Sequence, residues 1–265
     1  MKVYISADME GIAGVSHWDD VTFDSPTYEP SREELMREVV AACEGAIAAG
    51  AMELIVKDAH DTARNLLADR LPEPAQLIRG WSGHPYSMVQ ELDASFDALV
   101  CIGYHSPAGS GAHPLAHTLT TDIRQLRLNG QVLSEFHLVA LTAATEGVPV
   151  VFVAGDAALC RLVQTYEARI FTVATSAGVG ESTVSIHPDR VVQQIRLAVE
   201  EAVSQAHRMP IHDVSGPFVL EVDYKHPPDA YRNSFYPGAV LQSEVTVVVE
   251  TQTWFDVLRS LQFIS

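Results

Sequence analysis

The first fourteen residues, MKVYISADMEGIAG (1–14), set the pattern that the rest of the chain repeats. Residues 2–7, KVYISA, are a short β-type run that ends on a carboxylate, Asp8. ELIVKD (53–58), DALVCIGY (97–104) and VPVVFVAGD (148–156) are further apolar runs of strand length. Between the first two, residues 31–50 are expected to form a helix. Ser31 and Glu34 offer a capping box, Leu35, Val39, Cys43, Ala46 and Ile47 recur at helical spacing, and Gly50 stops it. A second helix is expected from Ser134 to Glu146, closed by Gly147 and Pro149. Almost wholly apolar strands alternating with helices predict an α/β fold: a three-layer, mainly parallel sheet with helices on both faces. Ligands gather beyond the carboxyl ends of such strands, where Asp8, Asp58 with His60, His105 and Asp156 all stand.

Two other segments read differently. RQLRLNGQVL carries an Asn129-Gly130 pair, the signature of a tight hairpin. Beyond residue 186 an amphipathic helix (HPDRVVQQIRLAVEEAVSQAH), strands at 218–224 and 244–251 and a closing helix at 253–263 suggest a smaller α+β unit. The expected division is residues 1–185 for the metal-binding α/β domain and 186–265 for the second.

The 34 acidic residues against 17 basic ones give a formal charge of −17, which argues against a nucleic-acid groove. With lysine only at Lys2, Lys57 and Lys225, there is no polybasic patch for an anionic membrane. No apolar stretch approaches the roughly 20 residues that span a bilayer. Cys43, Cys101 and Cys160 are odd in number and sit in apolar runs, which reads as buried thiols in a reducing compartment. A soluble, cytoplasmic protein is expected.

Several side chains could carry chemistry. Asp8 and Glu10 are separated by one residue, so an extended chain points both carboxylates to the same side. Two buried anions so close repel unless a cation lies between them, although the pair could also be a solvated loop or a helix-entry cap. Gly11 and Gly14 lack the full glycine pattern of a dinucleotide loop, and carboxylates would stand where pyrophosphate belongs. His60 and His105 close two strands in the same manner, and neutral imidazole is a common zinc ligand. Glu135 opens its helix, where it could serve the macrodipole or act as a further oxygen ligand. His113 and His117 lie in the loop GAHPLAHT. Together these form an N/O shell without thiolates, suited to Zn²⁺ in an open catalytic site, with Mn²⁺ or Co²⁺ as substitutes. Five ligands exceed what one tetrahedral zinc with a free position needs, and a bridging carboxylate would let them serve two ions.

At this point the sequence resembles the binuclear-zinc D-aminopeptidase family, self-compartmentalising bacterial enzymes associated with dipeptide transport. The matching segments are MKVYISADMEGIAG, ELIVKDAH, HPYSMV, GYH, LNGQVLSE and VPVVFVAGD, in the family's order over residues 1–156. The resemblance implies zinc ligands at Asp8, Glu10, His60, His105 and Glu135, two zinc ions per subunit, and Asp8 as the bridge. It puts the catalytic histidine at His117, with His113 as an outside candidate. It further implies a homodecamer of two stacked five-membered rings and short peptides with an N-terminal D-residue, such as D-Ala, as substrates. The chain departs from the family after the VAGD strand, where TVATSAGVGESTVSIHP lacks the usual lysine and carries Glu181 near the expected arginine. Another binuclear-metal hydrolase of phosphoesterase type, or a non-catalytic metal- or peptide-binding protein of a transport system, is the alternative reading.

Overall fold

A computed structural model describes residues 1–265. The chain opens with β1 (Lys2–Ala7), followed by α1 (Tyr28–Ala48), β2 (Glu53–Asp58), β3 (Ala75–Ile78) and β4 (Ala98–Tyr104). A hairpin of β5 (Ile123–Leu128) and β6 (Gln131–Val132) leads into α2 (Glu135–Thr145), β7 (Val150–Asp156), α3 (Ala157–Tyr166), β8 (Phe171–Val179) and β9 (Ser182–Ser185). Then come α4 (Pro188–Ser204), β10 (Phe218–Tyr224), α5 (Pro227–Asn233), β11 (Ala239–Leu241), β12 (Thr246–Thr251) and α6 (Trp254–Ile264).

Seven strands form one sheet in the order β3-β2-β1-β4-β7-β8-β9, parallel except for the edge strand β9. Both faces are covered, which is why its central strands lack polar alternation. Val3, Ile5 and Ala7 of β1 join the core shared with α1 and α4, while Tyr4 joins the opposite core with Phe136 and Val139 of α2 and Leu159 of α3. The chain turns from one side of β1 to the other between β3 and β4, so the topological switch lies at the carboxyl ends of β1 and β4.

The second sheet is antiparallel, in the order β11-β12-β10-β5-β6. Its core combines Leu220, Val222 and Val249 with Val257, Leu258 and Leu261 of α6. Helix α2 is shared: Phe136 and Val139 face the first sheet, Leu138 belongs to the second core, and the Trp254 indole donates to Thr142 at 3.0 Å. The residue that opens this wedge is Glu135.

β5 pairs with β10 in the second sheet, and α4 packs on α1 of the first layer. Periodicity identifies an element but not the partner on which it folds. The first helix begins at Tyr28 rather than Ser31, so Ser31 and Glu34 lie inside it and Glu34 pairs with Arg37 at 2.7 Å instead of capping. β8 and β9 occupy the stretch after VAGD that carried no strand assignment from sequence.

Candidate active site

The loop after β1 stays pressed to the sheet. Asp8 N–H donates to the Ile102 carbonyl and Gly11 N–H to the Gly103 carbonyl, each at 2.8 Å. A Cβ on Gly11 would lie 1.8 Å from the Tyr104 carbonyl oxygen, and one on Gly103, whose φ is +71°, would lie 2.1 Å from the Asp8 oxygen. These glycines permit two backbones to cross where the carboxylates emerge, rather than cradling a phosphate.

Asp8, Glu10, His60, His105 and Glu135, brought from four places in the chain, meet in one buried cage. His60 Nε2 lies 2.7 Å from the Val21 carbonyl oxygen. A carbonyl only accepts, so Nε2 carries a hydrogen, and Nδ1 is the nitrogen turned to Glu10 at 3.1 Å and Asp8 at 3.3 Å. His105 is arranged in reverse. Its Nδ1 donates to the Ser106 carbonyl at 3.0 Å, leaving Nε2 facing Glu135 at 3.2 Å and Asp8 at 3.4 Å. Asp8 thus offers Oδ1 to one imidazole and Oδ2 to the other.

The charge in this cage is balanced only by the uptake of protons. Burial pushes the Asp8 carboxyl well above its ordinary value, and the neighbouring Glu10 adds to the shift. Burial would raise Glu10 and Glu135 as well, but His60 draws Glu10 well below the usual range and His105 draws Glu135 down to about 2. The same carboxylates overcome burial at His60 and His105 and lift both imidazoles well above 6.5. Protons therefore stand in for positive charge, and a divalent cation would displace them.

The residues suit such a cation. Asp8 Oδ2 and His105 Nε2 are buried without any hydrogen-bond partner, although both are strong polar atoms. A tetrahedral zinc with bonds of roughly 2.0–2.1 Å has edges of about 3.3 Å. The imidazole–carboxylate separations of 3.1 to 3.4 Å match that edge and exceed a good charge-assisted hydrogen bond. Three triads could each hold an ion: Asp8–Glu10–His60 and Asp8–His105–Glu135, which are fully buried, and Glu10–His105–His117, whose His117 is only partly buried.

His117 stands beside the cage. Its Nδ1 donates to the Leu115 carbonyl at 2.9 Å, which leaves Nε2 facing Glu135 at 3.7 Å and Glu10 at 3.8 Å. The ring stacks on His105 with centroids 4.2 Å apart and takes the edge of Trp18 at 5.2 Å. His113 does not reach the cleft. It is buried, accepting the Leu115 N–H at 3.3 Å.

Other strand-end carboxylates serve the scaffold. Asp58 accepts from Asn65 N–H, Leu66 N–H and the Asn65 amide, and that amide also holds the His60 carbonyl at 2.8 Å. Asp156 caps α3 and accepts from Ser106 Oγ at 2.7 Å, fixing the turn after His105. Asp61 is exposed at the cleft wall.

The cage opens into a cleft of about 510 Å³ whose wall contains four carboxylates, Asp8, Glu10, Asp61 and Glu135, and no lysine or arginine. Sequence reasoning missed Val21 and Trp18, which orient the two histidines. It also missed Leu258 and Leu261 of α6, which line the far wall. Asp61, Ser87 and Leu119 adopt positive φ on this wall, and Leu119 uses that bend to donate its N–H to Glu135 at 2.7 Å. No sequence signal announces such conformations in non-glycine residues.

No helix of the structure is long and apolar enough to cross a membrane. Residues 1–263 match the family model of the D-aminopeptidases, peptidase family M55. A D-aminopeptidase of Bacillus subtilis (strain 168) is 28% identical over 252 residues, covering 94% of this chain and 90% of the relative. The solved structure of the Zn-dependent D-aminopeptidase DppA from Bacillus subtilis, described as a self-compartmentalizing protease, shares the fold. Its TM-score is 0.90 at 24% identity, over 100% of this chain and 96% of that one. With the family model spanning nearly its whole length, the chain belongs to the D-aminopeptidase family of metallopeptidases.

Proposed function

We propose that this chain hydrolyses the N-terminal bond of short peptides whose first residue is a D-amino acid such as D-Ala. In this reading two zinc ions bind per subunit, one at Asp8, Glu10 and His60 and the other at Asp8, His105 and Glu135, with Asp8 shared. The carrying observation is the pair of triads, each with its imidazole orientation fixed by a backbone carbonyl and edges near 3.3 Å. When bound, the ions supply Lewis acidity, polarising the scissile carbonyl and easing ionisation of water at neutral pH.

The chain's own groups do the remainder. Asp61, the one carboxylate of the wall outside the triads, attracts a free α-ammonium with no Lys or Arg to oppose it, and so selects the amino end of a peptide. His117, with Nε2 turned to the cage and its ring held between His105 and Trp18, takes a proton at that atom and returns it to the leaving amine. Its separations of 3.7–3.8 Å from Glu10 and Glu135 exceed the edges within the triads, which supports a catalytic role over a ligand role.

Self-association into a decamer of two rings is proposed with it. The exposed apolar side chains Tyr231, Phe235, Val240 and Leu241 around the second sheet support a surface covered by another copy. Three free, buried cysteines support a cytoplasmic setting. A phosphoesterase or a purely binding role is not favoured in a chain of this peptidase family.

Metal analysis combined with cleavage of D-Ala-D-Ala and L-Ala-L-Ala tests the proposal. Two zinc ions per chain and faster cleavage of the D-peptide are expected. Full zinc content with no cleavage of either peptide would overturn the enzyme reading. His117→Ala should lower turnover by about 10²–10⁴ with zinc retained. Loss of zinc would instead make His117 a ligand.

A further inference from the structure

Trp81 occupies an unusual position on the cleft wall. It is 43% exposed, yet its indole is held from two directions. The Nε1–H donates to the Asp61 carbonyl at 2.7 Å, one residue beyond His60. Below the ring, at 4.0 Å from its centroid, lies the ammonium of Lys57. Lys57 is fully buried and has no carboxylate partner. It donates instead to the Asp58 carbonyl at 2.6 Å and the Gly80 carbonyl at 2.8 Å, so its third hydrogen is left for the ring face.

The segment that carries Trp81 is also stitched to the His60 loop. Gly80 N–H donates to the Ala63 carbonyl at 2.8 Å, and Arg79 donates to the Arg64 carbonyl at 3.0 Å. These contacts fix the backbone beside Trp81, and the indole itself cannot swing aside without breaking its bond to Asp61 and its contact with Lys57. A large aromatic surface fixed in place beside a polar reaction centre offers contact area at little conformational cost. The cleft also has more room than an alanyl dipeptide requires, lying well inside the roughly 300–1,000 Å³ that takes drug-sized ligands.

Resting on the peptidase reading above, we infer that Trp81 is a specificity-determining platform on which an apolar side chain of the peptide lies, and that Lys57 is the positioning residue that fixes it. The enzyme then prefers peptides with one bulky apolar residue over D-Ala-D-Ala. Burial of a side chain on an immobilised indole is worth about a tenfold gain in affinity or more.

The test separates binding from turnover. Dissociation constants for D-Ala-D-Ala, D-Phe-D-Ala and D-Ala-D-Phe are measured by calorimetry on zinc-loaded protein carrying His117→Ala. The background is then combined with Trp81→Ala, Trp81→Phe or Lys57→Met. One of the two phenylalanyl peptides should bind about tenfold more tightly than D-Ala-D-Ala. Trp81→Ala should erase that advantage at unchanged zinc content, Trp81→Phe should restore most of it, and Lys57→Met should weaken it in the same direction. In otherwise unmodified enzyme, Trp81→Ala should act on KM for that peptide more than on kcat. Absence of any phenylalanyl advantage, or its survival in Trp81→Ala, would overturn the inference. So would equal losses for all three peptides accompanied by loss of zinc, which would make Trp81 a brace for the His60 loop alone. Cleavage of the peptides by the unmodified enzyme reports separately on the peptidase reading.

Discussion

Glu38 lies in the middle of α1, fully buried, with Oε1 accepting the Ala13 N–H at 2.8 Å and Oε2 left without a partner. Glu10, three residues before that N–H, is buried almost as deeply. Burial raises Glu38 from 4.5 to about 8, so at neutral pH it is a neutral acid. Glu10 meets the same penalty but faces His60, and it is held well below its ordinary value as an anion. Depth is equal in the two places, and the difference is made by what surrounds the carboxyl. A lone buried carboxyl takes up a proton and becomes part of the scaffold. Carboxyls that converge with protonated imidazoles keep their charge.

The largest effect expected from breaking this contrast is at the shared carboxylate. Asp8→Asn removes the charge common to both triads and should strip zinc and reduce peptide cleavage by more than about 100-fold, the upper end of what losing an outer partner costs. Metal content and kcat/KM measured on one preparation check it, and retention of both ions would end the bridging assignment. A smaller loss is expected one layer out. Asn65→Ala frees the His60 carbonyl from its clamp on Asp58 and should weaken zinc binding by about 10–100-fold while leaving the fold intact. Competition with a chelator measures the change.

A third effect lies away from the cleft and concerns stability alone. The unfolded chain ionises Glu38 near pH 4.5, whereas the folded chain keeps its proton to about pH 8. Between those values the folded state binds more protons, so this group makes stability fall as pH rises, and the fall stops above about pH 8. The size is at most about 5 kcal/mol. Glu38→Gln should remove that slope, giving a variant that gains on the parent from pH 5 to pH 8 in urea titrations. Parallel pH profiles for the two proteins would show that Glu38 ionises in place.

Much of this contrast could be read in one dimension. Apolar runs ending in Asp8, Asp58, Tyr104-His105 and Asp156 marked strand ends, and the structure puts each run in the same parallel sheet. The turn at Asn129-Gly130 has positive φ at both residues, as its sequence required. Less could be read where a segment's neighbours are distant in sequence. Ser31 and Glu34 carried a capping pattern, but a turn of helix formed ahead of them because Tyr28 is buried against the α1 core and donates to Asn65.

By itself the sequence determined the element types and the layering, because backbone periodicity is a local property. Tertiary structure alone decided that Asp58 and Asp156 brace loops while Asp8 and Glu10 face a common centre. It also decided which nitrogen of each imidazole is free, and that Trp81 stands locked over Lys57 on the cleft wall. Those outcomes depend on carbonyls and rings contributed by distant segments, Val21 to His60 and Lys57 to Trp81 among them. Such partners are chosen by close packing in three dimensions, where a shift of an ångström makes or breaks a hydrogen bond.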